Sequence, residues 1–126
     1  MAGPLETAVR QMFAEFDRKN FREALRAFAD DTQVVDEISR KWIRGHQGVA
    51  EYVRQLEPVI EGIHTEINDV REKVWGDVGL MTCWAEQDYT LEGKPQHISS
   101  PTTVVLRREG PEWRIVLFHA IPLPKE

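Results

Sequence analysis

The chain has 126 residues, of which 41% are hydrophobic and 29% charged, and its formal net charge is −5. This size predicts a single domain over residues 1–126, and an acidic chain without a basic run argues against a nucleic-acid partner. The sequence contains no recognisable signal peptide and no run approaching the roughly 20 apolar residues of a membrane span. A lone cysteine, Cys83, cannot form an internal disulfide,. These features predict a cytoplasmic protein without a membrane partner.

The first quarter of the chain has the apolar spacing of two short helices. From Glu6 the apolar residues recur at i, i+3, i+4 and i+7, namely at Val9, Met12, Phe13 and Phe16. After polar residues 17–20 a second stripe follows, formed by Phe21, Ala24, Leu25 and Phe28. We interpret the aromatic residues as core and predict that the two helices pack as a pair. Residues 29–31 are expected to end the second helix.

The next segment combines a short strand with a third helix. Residues 33–38 are predicted as a strand, and Trp42 with Ile43 could pair back on it as a hairpin. Residues 45–48 are predicted as a loop that leads into a helix with an apolar stripe over residues 49–60. Pro58 lies inside that stripe and should kink or end the helix.

The remainder of the chain has the texture of long strands. Alternating residues and Gly-containing turns predict strands at 63–75, 78–91, 96–108 and 113–121,, and Pro101 suggests a bulge or an edge position. Strands of about 12 residues exceed the usual five or six and tend to coil. The predicted fold class is therefore α+β, a cone-shaped curved antiparallel sheet wrapped around about three N-terminal helices and enclosing a pocket.

Period two separates the faces of the strands without saying which face is inside. On strand 78–91 one face combines Trp84 with Glu86 and Asp88, a mixture of aromatic and carboxylate groups that is typical of a pocket,. On strand 113–121 both faces are largely apolar, so the sheet needs a second cover. We therefore predict a homodimer through the sheet.

Two segments resemble the nuclear-transport-factor-2-like, or SnoaL-like, superfamily. Residues 28–37, with Arg44-Gly45 and the 48–52 segment, are similar to the corresponding region of ketosteroid isomerase. Residues 102–119 are similar to the closing hairpin of SnoaL-like proteins and of the calmodulin-dependent kinase association domain, although one residue is inserted between Gly110 and Trp113. The resemblance implies a cone fold that hosts isomerases, dehydratases, cyclases and non-catalytic binding subunits.

Asp36 is the sharpest catalytic candidate. The resemblance to ketosteroid isomerase implies that its carboxylate shuttles a proton, and desolvation in an apolar pocket improves a carboxylate as a base. Alternatively, Asp36 is a surface residue that ends a strand or binds a turn. The isomerase also needs two oxyanion donors, and their positions fall at Met12 and Thr102. Because neither can reproduce those donors, steroid isomerase activity is not expected.

Other residues are candidates for the same pocket. The resemblance to the kinase domain places Glu86 inward, where it would form a carboxylate pair with Asp36, and His119 matches the recurring histidine of the closing strand. Alternatively, Glu86 is a surface acid paired with a base and His119 is structural. The predicted ligand-binding residues are Trp42, Tyr52, Trp84 and Thr103, with plain packing as the alternative for the aromatic side chains.

The sequence suggests no cofactor or metal. It has no metal-ligand spacing of histidines or cysteines, no phosphate-binding loop and no dinucleotide fingerprint,. The favoured hypothesis is a cofactor-free acid–base enzyme of the isomerase, dehydratase or cyclase type that acts on a small, mostly apolar molecule. The alternative is a non-catalytic domain for ligand binding, dimerisation or assembly.

Overall fold

The computed structural model describes residues 2–124. Its helices are α1 (Pro4–Asp17), α2 (Phe21–Leu25) and α3 (Gly45–Leu56), and its strands are β1 (Phe28–Asp36), β2 (Ile43–Arg44), β3 (Ile60–Trp75), β4 (Val78–Leu91), β5 (Lys94–Glu109) and β6 (Glu112–Ala120). The six strands form one sheet in the order β2-β1-β6-β5-β4-β3. This α+β architecture, with helices packed on a curved sheet, confirms the predicted fold class.

The curvature of the sheet comes from bulges. Two register shifts interrupt the β3–β4 pairing, where the backbone reaches φ 64° at Gly62 and φ 52° at Asp69. A third shift lies between Val105 and Leu106 in the β5–β6 pairing. A bulge bends its strand and increases the local twist. The sheet therefore curls around the helices and stays unclosed.

Helix α1 is anchored to β3 at both of its ends. The carboxylate of Glu72 accepts the backbone N–H groups of Glu6 at 2.9 Å and of Leu5 at 3.4 Å. These first-turn donors have no partner within the helix, and a negative charge suits that end of the helix dipole. At the other end, Asp17 accepts the Thr65 N–H at 2.8 Å and the Thr65 hydroxyl at 2.7 Å. These contacts hold α1 across the concave face of the sheet.

Two predicted boundaries near the helices are wrong. Helix α3 begins at Gly45, so residues 45–48 form its first turn and not a loop. Strand β1 begins at Phe28, so residues 29–31 belong to the strand and do not end a helix. Phe28 pairs with Ile115 of β6 in a parallel ladder. Pairing with a strand more than 80 residues away overrides the local helical spacing.

Three predictions about prolines and hairpins have different outcomes. Helix α3 ends at Leu56, two residues before Pro58, as predicted,. Ile43 pairs with Val34, which confirms the short hairpin. Pro101 lies neither at a bulge of the β4–β5 ladder nor on an edge strand. It is tolerated because the β5–β6 pairing starts one residue later, so β6 needs no N–H from this position,.

The hydrophobic core fills the space between the concave face of the sheet and the helices. Leu5 and Val9 of α1 are completely buried, as are Met81 and Leu106 of the sheet. Cys83 belongs to the same core, and burial raises the pKa of its thiol to about 11. The thiol is therefore protonated near neutral pH and packs as a small apolar group.

Candidate functional site

A cavity of about 80 Å³ opens between the helices and the concave face of the sheet. Its aromatic lining is contributed by Phe13, Phe16, Phe28, Tyr52, Tyr89 and Phe118. Its charged and amide groups are Asp36, Glu37 and Gln87. Since a buried water needs about 10–15 Å³ of cavity volume, the space holds roughly five to eight water-sized groups. The cavity therefore suits a small molecule with a mostly apolar body.

Asp36 stands at the end of β1, where its carboxylate also closes a turn. Oδ1 accepts the backbone N–H groups of Ile38 at 3.1 Å and Ser39 at 2.8 Å, and the Tyr52 hydroxyl at 2.9 Å. The second oxygen, Oδ2, has only a 3.2 Å contact with the same hydroxyl. Since one hydroxyl proton serves the nearer oxygen, Oδ2 keeps lone pairs for another partner. Asp36 lines the cavity and thus has one oxygen fixed in a turn and a second oxygen with a single, longer contact.

Tyr52 on α3 places its hydroxyl against the Asp36 carboxylate at the end of β1. Burial, followed by the charge of Asp36 and the hydrogen bond to it, raises the pKa of the Tyr52 hydroxyl. The hydroxyl therefore remains protonated and donates to the carboxylate. The sequence placed Tyr52 in the pocket, and the structure brings it together with Asp36.

Replacing Tyr52 by phenylalanine should destabilise the protein by about 1–2 kcal/mol, because a partly buried hydrogen bond to a charged group is lost. Tyr89→Phe is the matched control, since within residues 2–124 the Tyr89 hydroxyl makes no hydrogen bond. We expect this control to cost less than about 0.5 kcal/mol. Urea unfolding measures both variants. Equal losses would show that the contact with Asp36 adds nothing.

Three cavity residues were not identified from the sequence. Glu37, Gln87 and Tyr89 line the cavity together with Asp36. Burial and then the charges of Glu37 and Asp36 raise the pKa of Tyr89. Gln87 and Tyr89 share their strand face with small core residues such as Ala85. The apolar residues of that face are typical of a core. Only its alternation with the face that carries Trp84 and Glu86 indicated that it could line a pocket instead.

The expected carboxylate pair of Asp36 and Glu86 is not formed. Glu86 pairs with Ser99 across the β4–β5 ladder and accepts the Ser99 hydroxyl at 3.1 Å, whereas their neighbours Gln87 and Ile98 face the cavity. Glu86 therefore projects from the convex face of the sheet, and Trp84 shares that face with it. The correction follows from period two: one residue along a strand changes the face.

His119, Thr103 and Trp42 also lie away from the cavity. His119 pairs with Val35 and with Thr103, whereas Asp36 pairs with the inward-facing Ala120. Since paired residues share a face, an Asp36–His119 dyad is not formed. The Trp42 ring lies 6.1 Å from the His119 ring between centroids, and Trp42 is 44% exposed. The structure therefore groups these residues on the convex side.

Neither of the two positions that were expected to lack oxyanion donors supplies a donor to the cavity. Met12 contributes its thioether to the cavity wall. Thr102 is 2% exposed and its hydroxyl donates to the Ser100 carbonyl at 3.1 Å. The cavity therefore has no counterpart of the isomerase donor pair at these positions.

Among residues 2–124, no three or more histidine, cysteine, aspartate and glutamate side chains converge as metal ligands. The same part of the chain contains no helix with the length and apolar character needed to cross a bilayer. The cytoplasmic location and the absence of a cofactor stay predictions.

Comparison with known proteins identifies the family. A model of the SnoaL-like domain matches residues 5–122. The chain therefore belongs to the SnoaL-like family of the nuclear-transport-factor-2-like superfamily, which includes isomerases, dehydratases and cyclases. None of the curated proteins matches the chain.

Solved structures from several bacteria share the fold. A candidate dehydratase of the NTF2-like family from Streptomyces avermitilis superposes with a TM-score of 0.85 at 19% identity, over 97% of this chain and 95% of that chain. A ketosteroid isomerase-like protein from Erwinia carotovora atroseptica has a TM-score of 0.81 at 16% identity, with 97% and 95% covered. A candidate calcium/calmodulin-dependent kinase II association domain from Thiobacillus denitrificans has a TM-score of 0.75 at 24% identity, with 94% of each chain covered. These likenesses establish the fold, and no specific activity follows from them.

Proposed function

We propose that this protein is a cofactor-free acid–base enzyme of the isomerase, dehydratase or cyclase type, acting on a small, mostly apolar molecule held in the cavity. The observation that carries the proposal is the difference between the contacts of the two carboxylate oxygens of Asp36. Its Oδ1 is held by Ile38, Ser39 and Tyr52, whereas Oδ2 has only the 3.2 Å contact with the Tyr52 hydroxyl and could accept from a ligand. A carboxylate with one fixed and one free oxygen is positioned to take a proton and to return it.

The surroundings of Asp36 support this role. Aromatic and aliphatic side chains make up most of the cavity wall, and a ligand that fills the cavity would displace its water. Electrostatic interactions are stronger where water is excluded. Tyr52, whose hydroxyl stays protonated, keeps the carboxylate in one orientation. The apolar body of the substrate would supply binding energy, and Asp36 would move the proton.

The proposal is tested with a panel of small alcohols, unsaturated ketones, epoxides and amines of up to about eight non-hydrogen atoms, a size suited to the cavity. Proton NMR follows each compound with the wild-type protein and with Ala24→Leu, in which the larger side chain would occupy the cavity that Ala24 lines. We expect conversion by the wild-type protein only. Conversion that survives in the filled variant, or a panel that the wild-type protein neither binds nor converts, would contradict the proposal.

A non-catalytic binding or assembly domain is the second candidate. It is favoured by the turn contacts of Asp36, which would stabilise the end of β1 without any reaction. A panel compound that binds in the cavity and is never changed would support this alternative. The experiment therefore separates the two functions by turnover.

We further propose that the protein forms a homodimer through the convex face of its sheet. Leu80, Val105 and Leu117 lie opposite one another on β4, β5 and β6 and form a half-buried apolar row. Next to it lies the row of Thr82, Thr103 and His119. A second copy would cover these rows, since an apolar sheet face is rarely left in water.

Leu117→Arg should weaken the dimer by at least about 100-fold, because two charges related by symmetry would be buried without partners. Gln55→Arg on the exposed side of α3 is the matched control and should leave the dimer intact. Analytical ultracentrifugation over a range of concentrations measures both. A monomeric wild-type protein, or a dimer that tolerates Leu117→Arg, would contradict this interface.

A further inference from the structure

The polar atoms that reach the cavity are mainly hydrogen-bond acceptors. Thr65 donates its hydroxyl to Asp17 at 2.7 Å, so it must accept from the Gln87 amide nitrogen at 3.0 Å. This bond uses one of the two N–H groups of the Gln87 amide, so its other N–H group and its carbonyl oxygen remain available,. Asp36 contributes Oδ2, and within residues 2–124 the Glu37 carboxylate makes no hydrogen bond. A ligand must therefore bring donors to this end of the cavity.

The charged side chains that line the cavity are all negative. Asp36 and Glu37 are its two carboxylates, and no lysine, arginine or histidine is present among the lining residues. A carboxylate ligand would face these charges without a counter-charge, whereas a cation would be attracted to both. The aromatic rings of the wall add faces that also favour a cation.

Tyr89 contributes a further polar group that has no hydrogen-bond partner among the described residues. The side chain is only 5% exposed, lines the cavity, and within residues 2–124 its hydroxyl takes part in no hydrogen bond. Its oxygen is not among the enclosed polar atoms, so it is open to the cavity and a ligand group could reach it. The influence of Glu37 and Asp36 on its pKa places this hydroxyl in the field of the same two carboxylates. The hydroxyl and the two carboxylates thus line the same cavity.

We propose that the ligand of this cavity is a small primary organic ammonium ion, with its hydrocarbon part against the aromatic and aliphatic wall. An ammonium group has three N–H donors, which matches three available acceptors: Asp36 Oδ2, the Glu37 carboxylate and the Tyr89 hydroxyl oxygen. The inference rests on the proposed function, because it uses the same cavity and the same free oxygen of Asp36. It specifies the chemical class that the function would act on or bind.

The test compares three probes of equal length at pH 7: n-butylamine, 1-butanol and butyrate, which are a cation, a neutral molecule and an anion. Ligand-observed NMR titrations measure their affinity for the wild-type protein. A charge-assisted contact predicts that n-butylamine binds at least about 10-fold more tightly than 1-butanol. Butyrate should bind most weakly. Equal or tighter binding of 1-butanol would overturn the ammonium inference and leave the proposed function standing.

Two variants locate the binding. Glu37→Gln keeps the shape of the side chain and should lower the affinity for n-butylamine by about 5-fold or more, with 1-butanol unchanged. Ala24→Leu should abolish binding of both probes. Binding of n-butylamine that survives in Ala24→Leu would place the amine on the acidic surface and overturn the inference. If n-butylamine does not bind to the wild-type protein, the inference is contradicted, whereas the proposed function is decided by the whole panel.

Discussion

Asp36→Asn is expected to lower turnover of a substrate found in the panel by at least about 100-fold, because general acid–base catalysis typically contributes a factor of 10² to 10⁴. The amide keeps an Oδ1 that can accept the N–H groups of Ile38 and Ser39 and the Tyr52 hydroxyl. The turn should therefore persist. Only the free oxygen, Oδ2, is replaced by an NH₂ group, which cannot take up a proton.

The matched control for Asp36→Asn is Asp36→Ala. Alanine removes the acceptor of three donors at once, so we expect a loss of about 2–3 kcal/mol in the free energy of unfolding. The asparagine variant should lose less than about 1 kcal/mol. Urea unfolding and turnover are measured on both variants. Full turnover by Asp36→Asn would show that Asp36 is a structural residue of the turn and not the catalytic base.

Gly79→Ala should destabilise the protein by about 1–3 kcal/mol through overpacking of the core. A Cβ at this position of β4 would lie 2.6 Å from Leu5 Cδ1 and 2.9 Å from Leu5 Cδ2. Leu5 is completely buried, and so is its neighbour Val9 on the same helix. The leucine therefore has no free space to move into, and α1 would have to shift on the sheet.

The double variant Gly79→Ala/Leu5→Ala tests whether crowding between these two residues causes the loss of stability. Leu5→Ala alone should cost about 2–5 kcal/mol, because it leaves a cavity beside Gly79. In the double variant the new methyl group would occupy part of that cavity. We expect the combined loss to be smaller than the sum of the single losses by at least about 1 kcal/mol. Strictly additive losses in urea unfolding would show that the two side chains do not compete for one space.

The limits of sequence reasoning are visible at the start of β1. The spacing from Phe21 to Phe28 is typical of a helix, yet α2 ends at Leu25 and Phe28 already pairs with Ile115. Local periodicity cannot register a parallel partner that lies near the other end of the chain. By contrast, the end of α3 before Pro58 was predictable, because a proline acts on its immediate neighbours,.

The residues of the candidate site, like the boundaries of the helices and strands, were predictable only in part. Asp36 and Tyr52 were identified, and the structure joins them by a 2.9 Å hydrogen bond. Glu86 and His119 were placed in the pocket by resemblance, but both project from the convex face of the sheet. Each misplacement amounts to one residue along a strand. Such a shift moves a side chain from the inside of the sheet to the outside.

By itself, the sequence determined the family, the succession of helices and long strands, and the presence of a carboxylate at the end of the first strand. These depend on local patterns and on motifs of neighbouring residues. Only the tertiary structure decided which face of β4 is concave. Both faces carry apolar side chains, so the alternation of residues along the strand cannot tell the inner face from the outer one. The tertiary structure also identified Glu37, Gln87 and Tyr89 as residues that line the cavity. It also showed that Asp36 lines the cavity and closes a turn with one oxygen, while the other has only a longer contact with Tyr52.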